Sequence, residues 1–198
     1  MANPEACAAI ILAAGASTRL GQPKQLIRIN GETLLHRTTR LALEAGASPV
    51  VAVLGNDDEH LLPELQGLTA TFVVNNEWHT GMASSLKRGL QAVLAINPDQ
   101  ANIMVLVCDQ PRLDASILKN LLATHATRKP EIAASRYRET LGVPAIFSRT
   151  RFPELMELTG DQGARRILQR HIEQVAAVDF PGGEFDLDTP EDLARLHL

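Results

Sequence analysis

Short apolar runs alternate along this chain with stretches of helical period. Residues 8–13, 49–54, 70–74 and 103–107 are apolar almost throughout, the pattern of strands covered on both faces. Between them lie amphipathic stretches. In residues 31–46, Leu34, Leu35, Thr38, Leu41, Ala42 and Ala45 share one face and Gly46 offers the stop. Residues 57–65 read as a short helix weakened by Pro63. Residues 82–96 read as a helix with Leu86, Leu90, Val93 and Leu94 inward, and Asp114 caps a further one with Ile117, Leu118, Leu121 and Leu122 on its core face. Strands are expected at 132–137 and 143–147 around a loop at 138–142, then a short helix at 151–158. A Gly-bounded loop at 160–163 opens a helix through His171 with Ile167 and Leu168 inward, and a last strand covers 175–178. Thr189, Pro190, Glu191 and Asp192 form a strong start signal for a C-terminal helix.

Regular strand–helix alternation predicts an α/β fold: three layers, α/β/α, around a mostly parallel, Rossmann-like sheet. No repeat, linker or low-complexity tract divides the 198 residues, so one domain over 1–198 is expected. Hydrophobic and charged fractions of 45% and 21% are ordinary for a globular chain. A net charge of −4 disfavours a general nucleic-acid binder. Cys7 and Cys108 make neither a disulfide framework nor a zinc spacing, and a reducing, cytoplasmic compartment is the simplest expectation. The first apolar run lacks a basic region before it and leads into a Gly-containing turn, so it reads as a buried strand rather than a signal peptide. Nothing approaches the ~20 apolar residues of a membrane span. Ligands of such sheets bind beyond the carboxyl ends of the strands, which directs attention to the loops after Ala13, Val74 and Val107.

The first of these loops breaks at Ala14-Gly15-Ala16-Ser17 and then delivers Arg19 and Lys24. Small residues leave room for an anion against backbone N–H groups, Arg19 can fork onto phosphate oxygens and Lys24 can act as a point charge. A tight turn with two solvated cations is the competing reading. The loop is neither a Walker A motif nor a GxGxxG fingerprint. Asp109, directly after an apolar strand, suits either Mg²⁺ or a turn before Pro111. Asp186 and Asp188 alternate onto one side of an extended segment. Either can supply a second carboxylate, or both can simply favour the following helix N-terminus. Gly81 to Ser85 allows close backbone approach and a capped helix start. Gly160 to Arg166 is a second Gly-bounded loop with two arginines, suited to a second phosphorylated substrate or to a plain helix entry. The histidines show no metal spacing, no GxSxG elbow is present, and Cys108 reads as a buried strand residue.

Taken in order, Leu12-Ala13-Ala14-Gly15-Ala16-Ser17-Thr18-Arg19-Leu20-Gly21-Gln22-Pro23-Lys24-Gln25-Leu26, Gly81-Met82-Ala83-Ser84-Ser85-Leu86, Cys108-Asp109-Gln110-Pro111, Gly142-Val143-Pro144, Gly160 to Arg165 and Asp188 to Leu193 resemble the MobA-like nucleotidyltransferases over nearly the whole chain. That resemblance implies a fold of the nucleotide-diphospho-sugar transferase type. Ala14, and Pro23 directly before Lys24, look like the molybdenum cofactor cytidylyltransferase branch rather than the guanylyl one. The implied reaction moves CMP from CTP to molybdopterin and releases pyrophosphate. Arg19, Lys24 and Asp109 would be catalytic. Asp109 and Asp188 would hold Mg²⁺, for which Mn²⁺ can substitute. Leu12, Ala13, Ala14, Gly15, Ala16, Ser17, Asn75, Gly81 and Ser85 would lie against the nucleotide, and Asp161, Gly163 and Arg165 against the acceptor. The implied partners are CTP, a molybdopterin-type phosphorylated acceptor and, transiently, a molybdoenzyme or its chaperone. A donor or acceptor of another kind on the same fold, and a cofactor-binding protein without turnover, are the alternatives.

Overall fold

The computed structural model describes residues 6–55 and 58–196. Strand β1 (Cys7–Ala13) is buried at every position. Its odd residues Ala9, Ile11 and Ala13 enter one core, and its even residues Ala8, Ile10 and Leu12 enter the other. A continuous apolar run therefore serves two faces at once, as a central parallel strand must.

The chain continues through the hairpin β2 (Arg28–Ile29) and β3 (Glu32–Thr33), α1 (Leu34–Glu44), β4 (Val50–Leu54), α2 (Asp58–Leu61) and β5 (Thr71–Val74). Next come α3 (Met82–Ile96), β6 (Asn102–Val107), α4 (Ala115–Arg128), β7 (Ile132–Tyr137) and β8 (Thr140–Ser148). The elements α5 (Phe152–Glu157), α6 (Arg165–Arg170), β9 (Val175–Asp179) and α7 (Pro190–Leu196) complete it. Among the described residues, seven strands form one sheet in the order β5-β4-β1-β6-β8-β7-β9. Every pairing is parallel except those of β8, which runs antiparallel to both β6 and β7. Residues of α1 and α4 pack on one face, and residues of α3, α5 and α6 on the other. The expected three-layer α/β/α architecture is present.

Two boundaries differ from expectation. The first helix begins at Leu34, not Gly31, because Asn30 and Gly31 (φ 53° and 87°) make the turn of the β2–β3 hairpin. Asn-Gly is the pairing that such a two-residue turn favours. Thr33 then caps α1, accepting from the His36 N–H at 3.3 Å. The loop expected at 138–142 shrinks to Arg138 and Glu139, with β8 starting at Thr140. Its pairing with β7 slips between Ala134/Ala145 and Ser135/Gly142, leaving Val143-Pro144 as a bulge. Proline has no N–H for the ladder, so a bulge is where a strand tolerates it. The weak helix at 58–65 is an α-turn followed by a 3₁₀ segment at Leu62–Leu65; Asp57, its expected start, lies outside the described residues.

One close contact sets the site-bearing helix. A Cβ on Gly89 of α3 would come within 2.4 Å of Ile10 Cγ2 and 2.9 Å of Val53 Cγ2. Glycine there lets α3 lie low on β1 and β4, which brings its N-terminus level with the carboxyl ends of the strands.

Candidate active site

The loop after β1 is shaped by side chains from its own far end. Gln25 is buried, and its amide donates to the Ala13 carbonyl at 2.7 Å and the Gly15 carbonyl at 2.9 Å. Ser17 takes a positive φ of 51°, and its Oγ accepts from the Lys24 N–H at 3.0 Å. These bonds fold residues 13–24 into a closed loop and aim the Lys24 side chain back across the sheet.

Lys24 Nζ meets Asp109 Oδ2 in direct contact and Asp188 Oδ1 at 3.2 Å. Arg19 Nη2 donates to the other oxygen of Asp188 at 2.9 Å. Burial works against the ammonium of Lys24, but the two carboxylates outweigh it and hold its pKa above the ordinary value. Asp109 stands just past β6. Asp188 is brought beside it because the Leu187 N–H donates to the Asp109 carbonyl at 2.9 Å, while the Leu187 side chain is fully buried. Alternation then places Asp186 on the same side as Asp188. Asp186 is exposed by area, yet burial of its carboxyl, followed by the charges of Asp109 and Asp188, pushes its pKa up to about 7; Lys24 opposes the shift. Of the two candidates for the second carboxylate, Asp188 is the one engaged by both cations.

Gln110 braces this corner. It is buried, and its amide donates to the Val143 carbonyl of the bulge at 3.1 Å and to the Gly183 carbonyl at 2.9 Å. The bulge thus serves the site by presenting an acceptor. Gly142 leaves space for the hydroxyl of Tyr137, which a Cβ would overlap at 1.7 Å. Tyr137 has its pKa raised, first by burial and then by Asp186. Cys108 is buried, and its thiol pKa is pushed up by burial and by Asp109. It is an unreactive strand-end residue, as its sequence context predicts.

A cleft of about 330 Å³ opens over these groups. Leu12, Ala14, Gly15 and Ala16 of the first loop, Lys24, Asp109, Gly81, Ser85 and Asp161 all line it. Ala13 lines an adjoining recess on the β4 side. Ser17 and Arg19 line a small recess of about 130 Å³ with Asp188. Gly163 packs on Met82 of the cleft wall: a Cβ there would meet Met82 Sδ at 2.6 Å. Arg165 is exposed at the start of α6 and is close enough to act on the charge of Tyr137. Asn75 does not line this cleft but a neighbouring recess with Ser84 and Gly160. Its buried amide donates to Ser84 Oγ at 2.8 Å and Ser85 Oγ at 2.9 Å, and its carbonyl accepts from the Glu77 N–H at 3.0 Å, so it holds the start of α3. Trp78 and His79, from the same loop, reach the cleft instead. Their signal in the sequence is the chain's single Trp set in a polar loop at the sheet's carboxyl edge.

Two carboxylates beside an anion-sized turn are hard oxygen donors of the kind Mg²⁺ and Mn²⁺ take. Among the described residues no three acidic, thiol or imidazole groups gather as a full cage. That donor set fits a cation such as Mg²⁺, which usually keeps water and substrate phosphate in its shell. Asp109 and Asp188 are the carboxylates that would hold such an ion.

An open α/β sheet with a small-residue turn, an Arg/Lys pair and two carboxylates at its carboxyl edge is the build of a phosphate-transferring nucleotide enzyme. Residues 9–175 match the MobA-like NTP transferase domain, and the chain belongs to that family. It is 31% identical to nicotine blue oxidoreductase of Paenarthrobacter nicotinovorans, over 94% of each chain. It is 29% identical to a probable molybdenum cofactor guanylyltransferase of Trichormus variabilis, over 94% of this chain and 88% of that one. Among solved structures, Rv0371c of Mycobacterium tuberculosis superposes with a TM-score of 0.81 at 31% identity, covering 96% and 97% of the two chains. A manganese complex of the same protein superposes at 0.78, with 29% identity and the same coverage. The fold is that of the nucleotide-diphospho-sugar transferases, and the chain is an NTP transferase of MobA-like type. No helix among the described residues is long and apolar enough to cross a membrane.

Proposed function

We propose that this protein is a cytoplasmic, single-domain enzyme that moves CMP from CTP to the phosphate of a molybdopterin-type acceptor and releases pyrophosphate. The observation that carries the proposal is the Lys24 ammonium held between Asp109 and Asp188 at the mouth of the Ala14–Ser17 turn. Ala14 and the Pro23-Lys24 pair favour CTP by resemblance. The guanylyltransferase name of the Trichormus relative makes GTP the competing donor.

An acceptor phosphate oxygen attacks the α-phosphorus of the nucleotide in line. A new P–O bond forms there as the bond to the β-phosphate oxygen breaks, and pyrophosphate leaves with the electron pair. A phosphate monoester is largely ionised at neutral pH, its second pKa being about 6, so no general base is required. The work of the chain is positioning and charge neutralisation. Backbone N–H groups of residues 14–17 receive phosphate oxygens. Lys24 and Arg19 exchange their carboxylate partners for the triphosphate, which two cations already at the turn can do by side-chain rotation alone. The loop at Asp161, Gly163 and Arg165 receives the acceptor. Asp109 and Asp188 would hold Mg²⁺, or Mn²⁺ in its place, and such an ion supplies charge neutralisation on the phosphate oxygens. A molybdoenzyme or its chaperone would take the product by transient contact.

The test follows pyrophosphate in mixtures of the protein, Mg²⁺, molybdopterin cofactor and CTP, GTP or UTP, with sugar phosphates as alternative acceptors. CTP-dependent release is expected. Preference for GTP, release only with a sugar phosphate, or oxidation or reduction of the acceptor without pyrophosphate would overturn the proposal. Activity that survives both Lys24→Ala and Asp109→Ala would do the same.

A further inference from the structure

Two recesses meet at the indole of Trp78. The charged one holds Lys24 and Asp109. The other, about 240 Å³, is lined by Ala13, Ala14, Pro23, Gly55, Leu61 and Trp78, and no charged side chain lines it among the described residues. Both are lined by Ala14, Gly15 and Ala16. A ligand that lies across this turn therefore has one end among charges and the other in an apolar slot. A nucleoside triphosphate has that division: a polyanion at one end and a flat heteroaromatic ring at the other.

We infer that Trp78 is a specificity-determining contact of the donor: the face on which the nucleotide base stacks. The inference rests on the nucleotide-donor reading above and adds a residue and a role to it. The slot is walled by bare backbone where Gly55 meets the turn, since a Cβ on Gly55 would lie 2.7 Å from the Ala14 carbonyl oxygen. Among the described residues, Trp78 supplies its only aromatic ring. That ring is not a core residue. It is half-buried, and it meets His79 edge-on at 6.2 Å and 89°. Among the described residues nothing accepts from its indole N–H, whereas a buried tryptophan usually finds a partner. The 3₁₀ turn Trp78–Thr80 carries it, and that turn is pinned at both ends: Trp78 N–H donates to the Asn75 carbonyl at 3.3 Å and Gly81 N–H to the Trp78 carbonyl at 3.2 Å. Asn75 in turn is fixed to Ser84 and Ser85. The platform is thus held to the helix whose N-terminus lines the charged recess, which couples the position of the base to that of the phosphates.

Stacking on an aromatic face is worth about five- to a hundredfold in affinity and accepts every base, because each has a π face. Trp78 therefore discriminates nucleotides from ringless polyphosphates rather than one base from another. The chain has one Trp, so its fluorescence reports this site alone. In the full-length protein with Mg²⁺, CTP is expected to quench that emission, while inorganic tripolyphosphate binds by calorimetry without quenching. Trp78→Leu is expected to weaken CTP by about five- to a hundredfold and to raise KM more than it lowers kcat. It leaves tripolyphosphate affinity unchanged, which also shows that the variant is folded, and Trp78→Phe restores most of the loss. CTP bound with unchanged fluorescence, or bound by Trp78→Leu as by the wild type, overturns the assignment and leaves the transferase reading standing. No binding of CTP, GTP or UTP overturns both.

Discussion

Replacing Gly81 with alanine should damage stability and activity together, and the structure sets the size. Gly81 has φ 112° and ψ 174°, a region that is essentially glycine-only and costs another residue about 1–3 kcal/mol. The added methyl would lie 2.3 Å from the Gly160 carbonyl carbon, 2.4 Å from its oxygen and 2.7 Å from the Asp161 nitrogen. These are backbone atoms, which cannot rotate away, so the 160–161 loop must retreat by ~1 Å to restore ordinary contact distances. That retreat pulls the Gly160 carbonyl from the Ala83 N–H, now 3.0 Å away, at a cost of about 1 kcal/mol. Together the terms come to about 2–4 kcal/mol, or a Tm lower by roughly 10 °C for a chain of this size. Gly46→Ala is the control. Its φ is also positive, at 94°, but nothing lies within 4 Å of the added carbon, so it should cost only about 1–2 kcal/mol of backbone strain. Thermal and urea unfolding of both variants measure the difference. Because Asp161 lines the cleft, pyrophosphate release should also fall in Gly81→Ala and hold in Gly46→Ala. Equal destabilisation of the two variants would refute the claim that the start of helix α3 and the 160–161 loop are in backbone contact.

Lys24→Ala and Asp109→Ala should each lower pyrophosphate release about a hundredfold or more, the scale of one lost transition-state charge contact, as read by steady-state kinetics. Glu154 accepts from Arg151 at 2.6 Å and from Arg170 at 3.1 Å and pairs with His171 at 2.9 Å. Burial opposes its charge, but these partners lower its pKa from 4.5 to about 2. The folded state therefore binds that proton less readily than the unfolded chain. Its contribution is complete above about pH 4.5 and disappears as pH falls toward 2. Urea unfolding should show Glu154→Gln less stable by about 1–3 kcal/mol at pH 7, with the gap closing across that window. Cys7 and Cys108 are buried, with thiol pKa values pushed up by burial, so a thiol reagent should label neither until the protein is unfolded.

Periodicity alone identified the layers. The apolar run of β1 needs cover on both faces, and the bounds of α3 follow from its four inward residues and its Gly81 start. Local chemistry outside those periods was harder to read. Asn30-Gly31 made a hairpin turn inside a stretch whose apolar face otherwise suits a helix, and Val143-Pro144 became a bulge rather than a loop end. In both places a backbone requirement overrode the side-chain pattern. At the candidate site, the small residues and the two cations of the first loop were legible as a turn at a strand end. Their partners were not. Lys24 joins Asp109 and Asp188 across 85 and 164 positions, a meeting set by strand order and by the Leu187–Asp109 backbone bond. That same bond, with Leu187 buried, set two equivalent acidic candidates apart: Asp188 pairs with both cations, while burial and the charges of Asp109 and Asp188 push the pKa of Asp186 up. Residue type announced which groups carry charge. Only the tertiary structure decided which of them share a cleft, because a loop's conformation depends on atoms that the sequence places far away: Asn75 turns inward to hold two serines, and Trp78 lines both recesses beside the first loop.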